Sequence, residues 1–333
     1  MTETKLFDNH GRPLNYLRLA VTDRCNLRCY YCMPAEGINY LPKKELLSFE
    51  EIERIVSILA GMGITKVRLT GGEPFVRTDL MQLIEKITQT QGISDVHITS
   101  NGILMSPHVR ELKALGIASV NLSLDTLDAD RFKKITRRDE FGKTWETLQL
   151  LISSGIPVKI NTVVMDEKNI EDIIPLVELS KNENISVRFI EEMPFNGEGS
   201  HYPKLNWTYK KIIEHIRSAF PSLQKITDPE NATAYHYQVP AFKGNIGVIA
   251  AFSRTFCGSC NRIRITAQGV LKTCLYDDGV LNIKDLLRSG KSDDEIKTEL
   301  LFAFNHRAKD GVEAETARKQ HPLLTESMST IGG

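Results

Sequence analysis

The 333-residue chain predicts an α/β fold with a parallel sheet. Short β-branched runs alternate with amphipathic helical patterns over the first two-thirds, and that alternation builds βαβ units. Helix caps and glycines punctuate the passages between them. The length suits one large domain or two ordinary ones. Six strand–helix pairs fit an open or incomplete barrel and a doubly wound sheet alike, because periodicity does not report closure.

In chain order, residues 16–21 are the first strand candidate. A helix opens at Ser48, where Glu51 completes a capping box. Ile52, Ile55, Val56, Leu59 and Met62 form its apolar stripe, and Gly61 and Gly63 stop it. Residues 65–70 are short and β-branched and end in Gly71 and Gly72. Further strands are expected at 95–99, 119–124, 158–164 and 186–190, with helices at 80–88, 107–115, 144–153, 170–179 and 210–220. Residues 228–231, with Pro229 and Asn231, read as a linker. Short β segments at 246–252, 262–266 and 269–275 follow, then a helical tail over 293–306. The expected division is a core over 8–228 and a smaller C-terminal domain over 232–333.

Lys+Arg and Asp+Glu each number 42, which argues against a nucleic-acid partner held by charge. A hydrophobic share of 41% and a charged share of 25% exclude disorder and disulfide-dense miniproteins. The N-terminus lacks the basic start and apolar core of a signal peptide. No apolar run approaches the ~20 residues needed to cross a bilayer. A cytoplasmic protein without a membrane partner is therefore expected. In that compartment cysteines serve as ligands or nucleophiles more often than as bridges.

All six cysteines fall into two triplets, Cys25-x3-Cys29-x2-Cys32 and Cys257-x2-Cys260-x13-Cys274. Unrelated buried thiols would rarely sort themselves this way. Structural zinc normally closes four ligands. The first triplet has only His10 upstream, and no histidine lies between Cys257 and Cys274. Zinc at the second triplet, with a fourth ligand from elsewhere, stays an alternative. An iron–sulfur cube takes four thiolates, so three leave one iron open to an outside ligand. Two cubes, each with an open iron, are the economical reading.

No phosphate-binding loop is present: Gly142 and Gly290, each followed by a lysine, lack the glycine five residues earlier. Nucleophile-elbow, zinc-protease and dinucleotide fingerprints are also missing. A phosphorylated substrate would have to be held by Arg and Lys side chains. Arg262 and Arg264 alternate on a strand-like segment and so share one face beside the second triplet.

The first triplet, with Tyr31 before its third cysteine, resembles the signature of radical S-adenosylmethionine (SAM) enzymes. The stretches 18–25, 68–74 with Gly71, Gly72, Glu73 and Pro74, 121–125, 188–193 and 257–264 resemble the GTP 3′,8-cyclase family, as do the final Gly332 and Gly333. The second triplet, Arg262, Arg264 and the Gly-Gly end narrow the likeness, which covers essentially the whole chain.

That resemblance implies an incomplete (β/α)6 TIM-like barrel of radical SAM type, with a smaller C-terminal domain carrying a second iron–sulfur cluster. The implied cofactors are two 4Fe-4S clusters and SAM. Cys25, Cys29 and Cys32 would hold the first cluster, and Cys257, Cys260 and Cys274 the second. Tyr31, Gly72, Ser123 and Met193 match SAM contacts. Arg18, Arg68, Thr99, Lys159, Arg262 and Arg264 match GTP contacts. No side chain is assigned a catalytic role, because SAM and the clusters would carry the radical chemistry. A 5′-deoxyadenosyl radical would remove the ribose 3′ hydrogen of GTP, and the 3′ carbon would attack guanine C8. The product would be 3′,8-cyclo-7,8-dihydro-GTP, the first step of molybdenum cofactor biosynthesis.

The implied partners are GTP, an external one-electron reductant and, by pathway, the cyclic pyranopterin monophosphate synthase that takes the product; a homodimer is left open. Gly332 and Gly333 would reach into the active site. The rival readings are a peptide-modifying radical SAM enzyme with an auxiliary cluster and an iron–sulfur carrier or zinc-binding module.

Overall fold

Ser48 caps the first helix as its sequence requires. In the computed structural model, which describes residues 5–195, 205–318 and 326–332, its side chain accepts from the Glu51 N–H and the Glu51 carboxylate accepts from the Ser48 N–H. The helix, α1 (Phe49–Gly61), buries Ile52, Ile55, Val56, Ile58 and Leu59. Each such side chain contributes roughly 1.5–3 kcal/mol on leaving water.

The repeating unit follows from there. Strands β1 (Tyr16–Ala20), β2 (Lys66–Thr70), β3 (Asp95–Ser100), β4 (Ser119–Ser123), β5 (Val158–Val164) and β6 (Ser186–Glu191) pair in parallel in sequence order. The helices α1, α2 (Leu80–Thr88), α3 (Val109–Ala114), α4 (Ala129–Thr136) with α5 (Phe141–Ser154), and α6 (Ile173–Asn182) make the crossovers. After β6 comes α7 (Tyr209–Ala219). Side chains alternate along each strand. In β5, Val158, Ile160, Thr162 and Val164 are buried, whereas Lys159, Asn161 and Val163 line the central cavity.

The C-terminal strands extend this same sheet at both edges. On one edge β9 (Asn245–Ile249) runs parallel to β6 and carries the antiparallel β8 (Ala234–Gln238) and β7 (Gln224–Lys225). On the other, β10 (Arg262–Ile265) runs parallel to β1 and carries the antiparallel β11 (Val270–Lys272) and β12 (Leu281–Asn282). The sheet is an incomplete barrel ending at β12 and β7. Arg262 Nη2 crosses the gap to donate to the Asn231 carbonyl at 2.6 Å. Helices α8 (Ile283–Arg288), α9 (Asp293–Phe304), α10 (Gly311–Thr316) and α11 (Met328–Ile331) complete the described chain.

Two features differ from the sequence expectation. Residues 228–231 belong to the connection between the paired strands β7 and β8, pinned where Asp228 accepts from the His236 N–H at 2.8 Å. Proline and asparagine favour a turn in a hairpin and in a linker alike, and only strand pairing separates the two. Helix α4 is absent from the pattern because it buries only Phe132, Ile135 and Thr136. Among the described residues no helix is long and apolar enough to cross a membrane.

Candidate functional site

A cavity of about 490 Å³ occupies the barrel interior. All six cysteines line it, as do Tyr31, Gly72, Ser123 and Met193 and the expected GTP contacts Arg18, Arg68, Thr99, Lys159, Arg262 and Arg264. Strand direction separates the triplets. Cys25, Cys29 and Cys32 follow the C-terminal end of β1, while Cys257 and Cys260 precede the N-terminal end of its parallel neighbour β10. Cys274 follows β11, which runs antiparallel to β10 and so ends at the same mouth. The triplets therefore stand at opposite mouths of one barrel.

The first cysteine loop is held by backbone contacts. Gly72 N–H donates to the Thr22 carbonyl at 2.9 Å and Glu73 N–H to the Arg24 carbonyl at 2.8 Å. A Cβ on Gly72 would collide with the Arg24 carbonyl, and one on Gly71 (φ +148°) with that of Thr22. The glycines thus admit the backbone of the cysteine loop. Helix α4 supports the loop from behind: Arg28 N–H donates to the Thr136 carbonyl at 2.9 Å. Arg137 Nη1 bonds the carbonyls of Arg28 and Met33, each at 3.1 Å.

Two buried carboxyls, Glu73 and Asp125, stand at this mouth. Glu73 accepts from Ser100 Oγ at 2.8 Å and the Asn101 N–H at 2.7 Å, yet burial lifts its carboxyl to about 7. Asp125 accepts from the Tyr31 hydroxyl at 2.9 Å and is lifted by burial to about 6. Burial, then Glu73, pushes the Cys25 thiol up to about 12, and burial takes Cys32 to about 11. Cys29 goes well above its ordinary value through burial, Asp125 and the thiols of Cys32 and Cys25. Such thiols keep their protons at neutral pH until a metal centre displaces them.

The middle of the barrel is cationic. Register sets Arg264, Arg18 and Arg68 side by side across β10, β1 and β2. Burial, then the charge of Arg264, holds Arg18 well below its ordinary value. Arg264 and Arg188 are brought down to about 10 by burial first. Lys159 falls to about 7 through burial and then Arg188 and Arg68. Arg68 donates to the hydroxyl of Tyr16 and, at 3.4 Å, to Thr99 Oγ1. Stacked cations of this kind are the complement of a polyanion.

Sequence reasoning assigned no role to several residues here. Arg188 Nε, Asn121 Oδ1, Asn161 Oδ1 and Thr70 Oγ1 are buried without a partner among the described residues, and all four residues line the cavity. His97, bonded through Nδ1 to Ser119 Oγ at 2.7 Å, is driven to about 2 by burial and then Arg68. The usable signal is a polar residue at alternate positions of an otherwise aliphatic strand, as with Asn161 and Arg188.

At the other mouth Cys257 occupies a single 3-10 turn, Cys257–Ser259. Burial raises its thiol and takes Cys274 to about 11. Cys260 goes the other way, because Arg307 and Arg262 outweigh burial. Met193 packs beside Phe195, Tyr276 and Ile331. The C-terminal segment runs back to the first triplet, where Ser327 Oγ donates to the Cys32 carbonyl at 2.7 Å. Gly332 accepts from Arg264 Nη1 at 2.6 Å; Gly333 lies outside the described residues.

An incomplete βα barrel with this cysteine loop at the C-terminal end of its first strand defines the radical SAM class, which works with SAM and an iron–sulfur cluster. Residues 19–180 match the Radical SAM superfamily, and residues 185–312 match Molybdenum Cofactor Synthesis C. A GTP 3′,8-cyclase of Syntrophomonas wolfei is 39% identical over 330 residues, covering 96% of this chain and 99% of that protein. One from Desulforamulus reducens is 40% identical over 307 residues, covering 91% and 94%. Human molybdenum cofactor biosynthesis protein 1 is 39% identical over 322 residues, covering 96% of this chain and 50% of that protein. The chain thus spans about half the length of the animal relatives it matches. Streptococcus suis SuiB shares the fold, with a TM-score of 0.64 at 14% identity over 97% of this chain and 74% of that one. The chain belongs to the GTP 3′,8-cyclase family.

Proposed function

We propose that this chain converts GTP to 3′,8-cyclo-7,8-dihydro-GTP in the cytoplasm, the opening step of molybdenum cofactor biosynthesis. One observation carries the reading: a single cavity sets a cationic strand layer between two cysteine triplets at opposite mouths. The residues suit the groups they would hold. Cys25, Cys29 and Cys32 offer three thiols to one 4Fe-4S cluster, and Cys257, Cys260 and Cys274 offer three to a second. Bound there, SAM and the clusters supply reductive cleavage to a 5′-deoxyadenosyl radical, with electrons from an external one-electron donor.

The protein binds, orients and excludes water. Tyr31, Gly72, Ser123 and Met193 border the SAM position. Arg18, Arg68, Lys159, Arg262 and Arg264 hold the triphosphate, joined by Arg188, whose buried Nε has no partner among the described residues. Thr99, carried on β3 beside Arg68, faces the same ligand. Gly332 brings the C-terminus to Arg264. With H3′ removed and C3′ bonded to C8, one electron and one proton complete an isomer of GTP. The dihydro product passes to a cyclic pyranopterin monophosphate synthase.

The test is anaerobic reconstitution with SAM, dithionite and GTP, followed by mass spectrometry. GTP-dependent 5′-deoxyadenosine and a chromatographically new isomer of GTP are expected. Deoxyadenosine that responds to a peptide and not to GTP would replace the substrate.

A further inference from the structure

Behind the second triplet lies a buried charge group made from both ends of the chain. The side chains of Asp8, Arg12 and Arg307 are 0%, 6% and 2% exposed. Asp8 Oδ2 accepts from Arg12 Nε at 2.6 Å and from Arg307 Nη1 at 3.2 Å. Arg12 Nη1 donates to the Cys257 carbonyl at 3.1 Å. Arg307 spends its fork on the other two cysteine segments. Nε donates to the Thr273 carbonyl beside Cys274 at 2.8 Å, and Nη1 to the Cys260 carbonyl at 2.9 Å. Nη2 reaches the Arg262 carbonyl at 2.9 Å and Cys260 Sγ at 3.1 Å.

The charges in this group do not cancel. Two guanidiniums share one carboxylate, and among the described residues no other carboxylate lies within 4 Å of either. A buried surplus cation needs an anion beside it, and Arg307 Nη2 faces Cys260 Sγ. Positive charge and an N–H···S hydrogen bond both favour the reduced, more negative form of an iron–sulfur centre.

We propose that Arg307 is a positioning residue that raises the reduction potential of the centre held by Cys257, Cys260 and Cys274, with Asp8 limiting the effect. The inference rests on the second triplet holding an iron–sulfur cluster. The step concerned is the uptake of one electron from the reductant by the oxidised centre, with no bond formed or broken.

The test is an EPR-monitored redox titration of the reconstituted full chain with dithionite as reductant. The first cluster's signal is identified by its loss in Cys29→Ala. In Arg307→Gln the second centre should become harder to reduce by about tenfold in the equilibrium, about 59 mV for one electron. Arg307→Lys, which keeps the charge but not the fork, should shift it less. Asp8→Asn should shift it the opposite way, a reversal that simple loosening of the site would not produce. An unchanged potential in Arg307→Gln with the centre intact overturns the proposal, as do shifts of one sign in both variants. Loss of the centre from all three variants overturns it too, because the role is then structural. A wild-type chain with iron and sulfide for one cluster only overturns this proposal together with the two-cluster reading, and iron analysis separates that failure from the others.

Discussion

Lys159 sits on β5 with its ammonium among Arg188, Arg68 and Lys66, and burial with those charges brings it down to about 7. A triphosphate favours the charged form. GTP affinity contributed by Lys159 should therefore be full below about pH 7 and weaken as pH rises through that value, by at most about tenfold per unit. Calorimetric titrations between pH 6 and 9 would show this slope, and Lys159→Arg, which stays charged, should flatten it. Gly72 is constrained by geometry in place of charge. Gly72→Ala puts a methyl group on the Arg24 carbonyl, and overpacking of this kind costs about 1–3 kcal/mol. Iron analysis and melting curves should find the first triplet poorly loaded and the Tm lowered, with the second triplet still loaded. At this scale the sequence marked Lys159 and Gly72 but not why each matters: a pKa depends on neighbours from other strands, and a glycine's necessity on what faces it.

Elements were the most legible level where they carry their own signals. Ser48 with Glu51 announced α1, and the capping box is present. Ser48→Ala should cost about 0.5–2 kcal/mol, readable as a lower denaturant midpoint at unchanged m-value, with the cavity residues undisturbed. The outlines of α2 and β5 also follow from periodicity. By contrast α4 is short and half exposed, so its apolar stripe is too brief to read, yet its last turn supports the cysteine loop. The residues around Pro229 carry turn chemistry that fits a boundary or a hairpin. Pairing of β7 with β8 makes the strands there one ribbon.

Across the whole molecule, the two mouths of the barrel predict separable losses. Cys25→Ala should abolish SAM cleavage and iron at the first triplet. Cys257→Ala or Cys274→Ala should keep the first cluster and deoxyadenosine formation, while the cyclised product falls below detection. Deoxyadenosine by chromatography and product by mass spectrometry would check both. Sequence alone determined the βα class, the grouping of the cysteines, the cations of the strand segments and the resemblance that names the family, because these depend on residue type and spacing. Only the tertiary structure decided that β10 lies beside β1, so that the triplets face each other through a cationic layer, and that Asp8 and Arg307, 299 positions apart, meet behind Cys260. Strand neighbours distant in sequence, and the burial that shifts Lys159 and Glu73, are products of the closed packing of the chain, which local pattern does not encode.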